Sequence, residues 1–199
     1  AIEGKTVFDR WDLSHEGVSL PDAAEDPLNP ERVSRWNNPA GAYVHFMHPA
    51  LWGDVHYRVT GKKSDGTLEL EGGWQNNRPT PLANLHKRYR FVENVFEELD
   101  TAGEWFYQVT EKTLYCMPAK GVDLPSAKIE FVRLRHLVEL RGSRGLPVKF
   151  VTFRGITFRH AARTFMDNKE PLLRSDWTVY RGGAVMLIGT EDCAINDCV

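Results

Sequence analysis

The sequence lacks any long apolar run, and no stretch approaches the ~18 consecutive apolar residues that a membrane-spanning helix requires. It also lacks an excess of charge of either sign, because 25 Lys and Arg offset 27 Asp and Glu and leave a formal net charge of −2. A surface that neutralises phosphates usually shows a basic excess, so we expect no nucleic-acid partner. Cysteine is scarce as well: three residues, an odd number, cannot form a complete disulfide framework.

Several chemical signatures are missing too. We find no phosphate-cradling glycine loop, no Gly-x-Ser-x-Gly elbow and no Cys/His nucleophile pair. What is present is a composition of 42% hydrophobic and 11% aromatic residues, which a disordered chain does not have. The chain begins at Ala1 without a Met or a leader-like segment and stops within an apolar-alternating run, so we expect it to be part of a longer protein.

Short alternating runs dominate the pattern. Residues 1–40 are interrupted by prolines and predict extended chain and turns. One helix is predicted over 91–99, where Val92, Val95 and Leu99 share a face. The remaining runs have a period of two and predict strands; they cover 42–47, 54–59, 67–71, 104–109, 113–116 and 128–132. The sequence therefore predicts an all-β protein with one short helix.

The last third contains a repeat. Residues 137–143 match 184–190, so that Val138 aligns with Val185 and Leu140 with Leu187. A second alternating run follows each copy, at 151–158 and at 193–199. If 163–183 is a loop insertion, the remaining period falls within the roughly 20–50 residues of repeat architectures. This favours the start of a right-handed parallel β-helix, although a β-sandwich would also supply alternating runs.

The repeat predicts which side chains of the coils point inward. These are the apolar residues at alternate positions, namely Val138, Leu140, Val151, Phe153, Ile156, Phe158, Val185, Leu187 and Ile195.

Two longer motifs resemble those of bacterial β-helix carbohydrate enzymes. One runs over 94–107 and continues through 113–118, and the other covers 163–166 with 170–177. On these residues, from about Trp36 onward, the chain resembles glycoside hydrolase family 141. It departs from the family at Ala102, Gln108 and Cys116, positions that concern turn and strand packing.

The resemblance implies a secreted or periplasmic enzyme that cleaves fucosyl or xylosyl linkages in complex glycans by paired carboxylates. It implies an extended segment over 1–41, an inserted β-rich domain over 42–132 and the first β-helix coils over 133–199. The family's catalytic aspartates lie on later coils, so the catalytic residues are unknown here and we expect the fragment alone to be inactive. The expected partners are an oligo- or polysaccharide substrate and the remainder of the same polypeptide, with no cofactor and no metal.

The predicted loop at 163–183 carries the best candidates for substrate binding. Loops mounted on a rigid scaffold concentrate binding residues. Trp177 offers a flat face for a sugar and charged side chains offer hydrogen bonds, so we predict that substrate binding involves Glu170, Arg174, Asp176 and Trp177. Asp167 is a third carboxylate of the loop. An ordered loop whose charges pair with one another and whose Trp packs on a coil is the competing interpretation.

Other side chains attract functional interpretations that we consider weaker. Glu97, Glu98, Asp100 and Glu104 form an acidic cluster for which a solvated or capping role is favoured. His45, His48 and His56 invite a metal site, but strand alternation separates 45 from 48, and hydrogen-bonded histidines are favoured.

A middle cluster of aromatics makes either a carbohydrate platform or, as we favour, a buried core; it comprises Trp36, Trp52, Trp74, Trp105, Phe106 and Tyr107. A non-catalytic carbohydrate-binding module, a β-helix polysaccharide lyase and a structural solenoid remain the alternatives to a hydrolase.

Overall fold

The computed structural model describes residues 2–3, 26–47, 54–75, 78–79, 89–167, 180 and 182–199. The chain divides into two compact units, the first containing the described residues up to Ala127 and the second those from Lys128. The described residues are mostly strands with one short α-helix, which confirms the all-β prediction in its coarse form. No helix in these ranges has the length and apolar character needed to cross a membrane.

The described strands of the first unit are β1 (Ile2–Glu3), β2 (Tyr43–Met47), β3 (Asp54–Lys62), β4 (Leu68–Gly72), β5 (Trp74–Gln75), β6 (Arg78–Pro79), β7 (Arg90–Glu93), β8 (Trp105–Gln108) and β9 (Thr113–Cys116). Five of them form an antiparallel sheet in the order β1-β7-β2-β3-β4. Two further antiparallel pairs are β5-β6 and β8-β9.

One face of this sheet forms the core. Alternation along β2 places Val44 and Phe46 on the same face, and β3 and β7 add apolar residues beside them. Val33 and Trp36 pack against this face. The buried cluster consists of Val33, Trp36, Ala42, Val44, Phe46, Val55, Tyr57, Val59, Val92 and Val95.

Helix α1 (Pro30–Arg35) lies where extended chain and turns were predicted, so that prediction was wrong over 30–35. The Asn29 side chain caps the helix by accepting a hydrogen bond from the Glu31 amide at 2.9 Å, and Pro30 suits the first turn. At the other end Lys62 Nζ donates to the carbonyls of Val33 at 3.1 Å, Ser34 at 3.2 Å and Trp36. This six-residue helix therefore has side-chain hydrogen-bond partners for backbone groups at both of its ends.

The helix predicted over 91–99 is absent, and that prediction was wrong. Strand β7 occupies its start because Val92 pairs with Val44 of β2 in the sheet. Asn94 then adopts a left-handed backbone with φ 64, which ends the strand, and a single 3₁₀ turn follows at Phe96–Glu98. Val92 and Val95 are buried as the pattern required, but they reach the core from a strand and a turn.

The second unit contains three parallel pairs of strands. Strand β10 (Val138–Arg141) pairs with β13 (Val185–Ile188), β11 (Val148–Lys149) with β14 (Thr190–Glu191), and β12 (Thr152–Arg154) with β15 (Ala194–Asn196). Val138 lies opposite Val185 and Leu140 opposite Leu187, so the alignment of the repeat is confirmed. Each of these sheets has two strands among the described residues, so they are small parallel pairs rather than an established solenoid.

The turns between these strands also match one another. Gly142 and Gly189 pack so closely that a Cβ on Gly142 would lie 2.3 Å from the Gly189 carbonyl oxygen. Left-handed backbone recurs one residue after β11 and after β14, at Phe150 (φ 60) and Asp192 (φ 53). Both copies of the repeat therefore turn in the same way.

The prediction of which side chains point inward is confirmed only in part. Six of the nine side chains are half-buried, whereas Ile156, Leu187 and Ile195 are exposed, contrary to prediction. Leu187 and Ile195 lie on strands that have a neighbour on one side only in the described part of the chain, so nothing there covers them. Met186, which alternation placed outward, is buried.

The segment 128–132, predicted as a strand, is irregular. It has no partner strand among the described residues, and without a ladder its alternation cannot produce a strand. Ile129 and Phe131 are accordingly exposed.

Candidate functional site

The four predicted substrate-binding residues, Glu170, Arg174, Asp176 and Trp177, lie outside the described residues. Their role therefore stays a prediction. The structure does describe both ends of the predicted loop, at 163–167 and at 180 and 182–183. The candidate site consists of these ends and the side chains that hold them.

The returning end of the loop is held by His136, which directly precedes the repeat containing β10. His136 Nδ1 lies 2.7 Å from the carbonyl oxygen of Gly183 and therefore donates to it. In the neutral ring this leaves Nε2 to accept the hydroxyl proton of Tyr180, at 2.8 Å. The two rings are parallel, with centroids 5.8 Å apart.

Gly182 makes this arrangement possible. A Cβ at Gly182 would lie 2.5 Å from His136 Cε1 and 2.6 Å from Tyr180 Cε1. Any larger residue would push the two rings out of contact. The local sequence therefore sets the geometry at this end of the loop.

Glu139 and Arg141 extend the same cluster along β10. Glu139 Oε1 lies 4.0 Å from His136 Nε2, and Arg141 Nε donates to Glu139 Oε2 at 2.6 Å. The hydrogen bond from Arg141 holds the pKa of Glu139 below its ordinary value, and it raises the pKa of Arg141. Glu139 thus remains ionised at neutral pH and can accept hydrogen bonds from hydroxyls but cannot act as a general acid.

Asp167, the described carboxylate of the loop, forms an ion pair with Arg135 at 3.1 Å. Because Arg135 lies outside the loop, this pair holds the loop to the segment before β10 and is not a pairing between two charges of the loop. Glu130, near the start of the same unit, forms ion pairs with Lys128, Arg159 and His160. The hydrogen bond from Lys128 is the largest cause of its lowered pKa.

The acidic cluster of the first unit is structural. Glu98 is 3% exposed and accepts hydrogen bonds from Trp36 Nε1 and, at 2.8 Å, from Arg32 Nη2, so a solvated role is wrong for this residue. Glu97 accepts from the Asn37 amide at 2.7 Å, and Glu104 accepts from the amides that follow the 3₁₀ turn. Both carboxylates therefore accept backbone hydrogen bonds, but the helix over 91–99 that a capping role presupposes is absent.

The histidines of the sheet form a hydrogen-bonded pair. His45 and His56 lie opposite each other on β2 and β3, and their Nδ1 atoms are 2.7 Å apart. The buried His45 also stacks on Phe91 at 4.2 Å. This confirms the hydrogen-bonded interpretation for His45 and His56, whereas His48 lies outside the described residues. No group of three or more His, Cys, Asp or Glu able to hold a metal occurs in the described ranges.

The aromatic cluster is divided between core and surface. Trp36 and Phe106 are buried as predicted, but Trp105 is 57% exposed and Tyr107 is exposed beside it on the same face of β8. Alternation explains the division, because Phe106 points to the opposite face, where its ring lies 5.3 Å from that of Phe96. Trp52 and the side chain of Trp74 lie outside the described part of the chain.

All three cysteines are free thiols. Cys193 and Cys198 do not form a disulfide, although they are close in sequence. Their sulfur atoms lie 3.5 Å and 3.3 Å from backbone carbonyl oxygens. The described residues, which include all three cysteines, therefore contain no disulfide.

Sequence reasoning missed His136, Glu139, Arg141 and Tyr180. Tyr180 is 44 residues from His136, and neither residue belongs to a motif of known chemistry. The repeat alignment contained one signal, because the offset that aligns Val138 with Val185 also places His136 opposite Gly183.

Comparison with known proteins gives one structural likeness. No protein-family model matches the chain, and no curated protein matches it. A solved structure named "Glycoside hydrolase" is similar over 63% of this chain, with a TM-score of 0.50 and 21% sequence identity. The chain spans 23% of the length of that protein. At this identity the likeness concerns the fold, so the chain resembles a part of a glycoside hydrolase in structure, and the finer resemblance to family 141 is not shown.

Proposed function

We propose that this chain is part of a glycan-cleaving glycoside hydrolase and supplies scaffold and one wall of its substrate cleft. The fold likeness to part of a glycoside hydrolase carries the proposal. The polar cluster at the base of the predicted loop supports it, since the Tyr180 hydroxyl oxygen and the Glu139 carboxylate can accept hydrogen bonds from sugar hydroxyls. Fucosyl or xylosyl linkages as the substrate, membership of family 141 and a secreted or periplasmic location are finer parts of the proposal and rest on the sequence resemblance.

The architecture we propose for the second unit is the start of a right-handed parallel β-helix. Three features support it: the in-register parallel pairs, the close packing of Gly142 on Gly189, and the left-handed turns at Phe150 and Asp192. In such a solenoid each coil buries its apolar residues by stacking on the next. The domain division at 1–41, 42–132 and 133–199 belongs to the same proposal.

The catalytic carboxylates are proposed to lie outside this segment. Glycoside cleavage needs two carboxyl groups, about 5 Å apart for retention and roughly 6.5–9.5 Å apart for inversion, and one of them has a raised pKa. Glu98, Glu130 and Glu139 all have a lowered pKa. None of these three side chains is suited to protonate a leaving group.

The loop 163–183 is proposed to border the cleft, with Glu170, Arg174, Asp176 and Trp177 contacting substrate. The test measures binding and turnover by the full-length protein on xylan and on a fucosylated oligosaccharide. Trp177→Ala and Asp176→Asn are expected to weaken binding about 5- to 30-fold with an unchanged melting temperature. Asp65→Asn, in an exposed turn of the first unit, is the matched control. Turnover by the 199-residue chain alone would contradict the placement of the catalytic pair.

A non-catalytic carbohydrate-binding module is the second candidate. The exposure of Trp105 and Tyr107 on one face of β8 favours it, because aromatic faces stack on sugar rings. Trp105→Ala distinguishes the two: loss of glycan binding in that variant, with no turnover by the full-length wild type, favours the module over the hydrolase.

A further inference from the structure

Phe150 is a bulky apolar residue in a backbone conformation that rarely holds one. Its backbone is left-handed, with φ 60, and its side chain is 75% exposed. A left-handed backbone normally selects Gly, Asn or Asp, and a bulky residue there is an outlier. Exposure means that packing within the described residues does little to offset this strain. Backbone strain of this kind clusters at functional sites.

An acidic residue lies in register with Phe150, directly after the neighbouring strand β14. Lys149 of β11 lies opposite Glu191 of β14, and Phe150 N donates to the Glu191 carbonyl at 3.3 Å, so Phe150 and Asp192 are in register. Neighbouring strands are about 4.8 Å apart. Because both residues have the same left-handed backbone, their side chains leave the turn in the same direction. The Asp192 carboxylate forms no hydrogen bond or ion pair with any other described residue.

We propose that Phe150 and Asp192 form a subsite for one sugar ring of a neutral glycan. This deepens the proposed function and rests on it. The apolar C–H face of a pyranose stacks on the Phe150 ring, and its hydroxyls donate to the Asp192 carboxylate. Lys149 and Glu191, one residue earlier on the two strands, form an ion pair with Nζ and Oε2 2.5 Å apart. Because Lys149 is paired with Glu191, the Asp192 carboxylate can accept hydrogen bonds from a ligand.

The test is built on Phe150→Asn, because Asn adopts the left-handed backbone readily. Relief of strain is expected to raise the melting temperature by about 2–8 °C, while loss of the ring weakens binding of xylan and of a fucosylated oligosaccharide about 5- to 30-fold. Phe150→Tyr is expected to restore binding. Asp192→Asn keeps the turn, and we expect it to weaken binding with an unchanged melting temperature. Val109→Asn replaces another exposed apolar side chain, on the first unit, and serves as the control.

Three results would overturn the subsite. They are unchanged glycan binding by Phe150→Asn, a lower melting temperature in that variant, which would show that the ring packs against protein, and equal weakening in Val109→Asn. Turnover on the same sugars separates this inference from the proposed function. A full-length wild type that binds through Phe150 but does not cleave refutes the hydrolase alone, whereas cleavage with binding unaffected by Phe150→Asn refutes the subsite alone.

Discussion

The two units bury apolar side chains in different ways. In the first, the sheet packs on α1 and its surroundings, and residues such as Trp36, Val44 and Val59 are fully buried. In the second, the parallel pairs leave most apolar positions half-buried or exposed, and Met186 is the buried hydrophobic residue among those described. An antiparallel sheet covered by a helix can bury its apolar face within one unit. Stacked pairs of parallel strands bury their apolar side chains only when further strands stack on them.

The largest expected effect tests the core of the first unit. Trp36→Ala removes a side chain with 0% exposure and the donor to Glu98, so we expect it to lower the free energy of unfolding by about 3–5 kcal/mol. Urea denaturation followed by circular dichroism measures this. Trp105→Ala, at an exposed position, is the matched control and should cost no more than ~0.5 kcal/mol. Equal losses in the two variants would contradict the described division between core and surface.

A smaller effect is expected from the stacked turns of the second unit. Gly142→Ala places a Cβ against backbone of both Gly189 and Val148, which cannot move aside cheaply, and should destabilise this unit by about 1–3 kcal/mol. Hydrogen exchange of the β10 amides reports the loss. A Cβ at Gly145 meets open space, so Gly145→Ala should be neutral or stabilise by about 0.4–1 kcal/mol. If Gly142→Ala matched Gly145→Ala, the close packing of the two turns would be wrong.

An effect of similar size, and the most specific of the three, concerns pH. Burial raises the pKa of Glu98, but the hydrogen bonds from Arg32 and Trp36 and the charges of Arg32 and Arg35 outweigh it, so the pKa is lowered overall. A lowered pKa stabilises the fold above the ordinary value of about 4.3 and loses that contribution as the pH falls through the folded-state value. Glu98→Gln should therefore cost about 1–3 kcal/mol at pH 7 and progressively less below pH ~4. Parallel pH profiles for wild type and variant would show that Glu98 is not held by these partners.

The sequence predicts the strands well where both pattern and turns agree. The runs at 42–47 and 113–116 became β2 and β9 because each follows a turn and pairs with a strand that is close in sequence. The repeat correctly gave the register of Val138 on Val185, since matched turns fix matched strands. Helix α1 was missed although Asn29, Pro30 and Glu31 carry a start signal, because a helix of six residues shows too little apolar periodicity.

Long-range contacts explain what the sequence did not show. The helical pattern at 91–99 was overridden by pairing between β7 and β2, which no local pattern encodes. The cluster of His136 and Tyr180 depends in the same way on contacts across 44 residues. In both cases a contact between residues far apart in the chain determined the local structure, and a single sequence does not reveal such contacts.

The dependence of α1 on Lys62 has a kinetic consequence. An isolated helix of this length is unstable in water, because nucleation costs more than one or two turns return. The ammonium that completes its C-terminal end lies 26 to 29 residues further along the chain, and the carboxylate that binds Trp36 and Arg32 lies 62 to 66 residues away. Helix formation must therefore wait for the closure of these long loops, so α1 is expected to form after β2 and β3 have paired, late in the folding of the first unit.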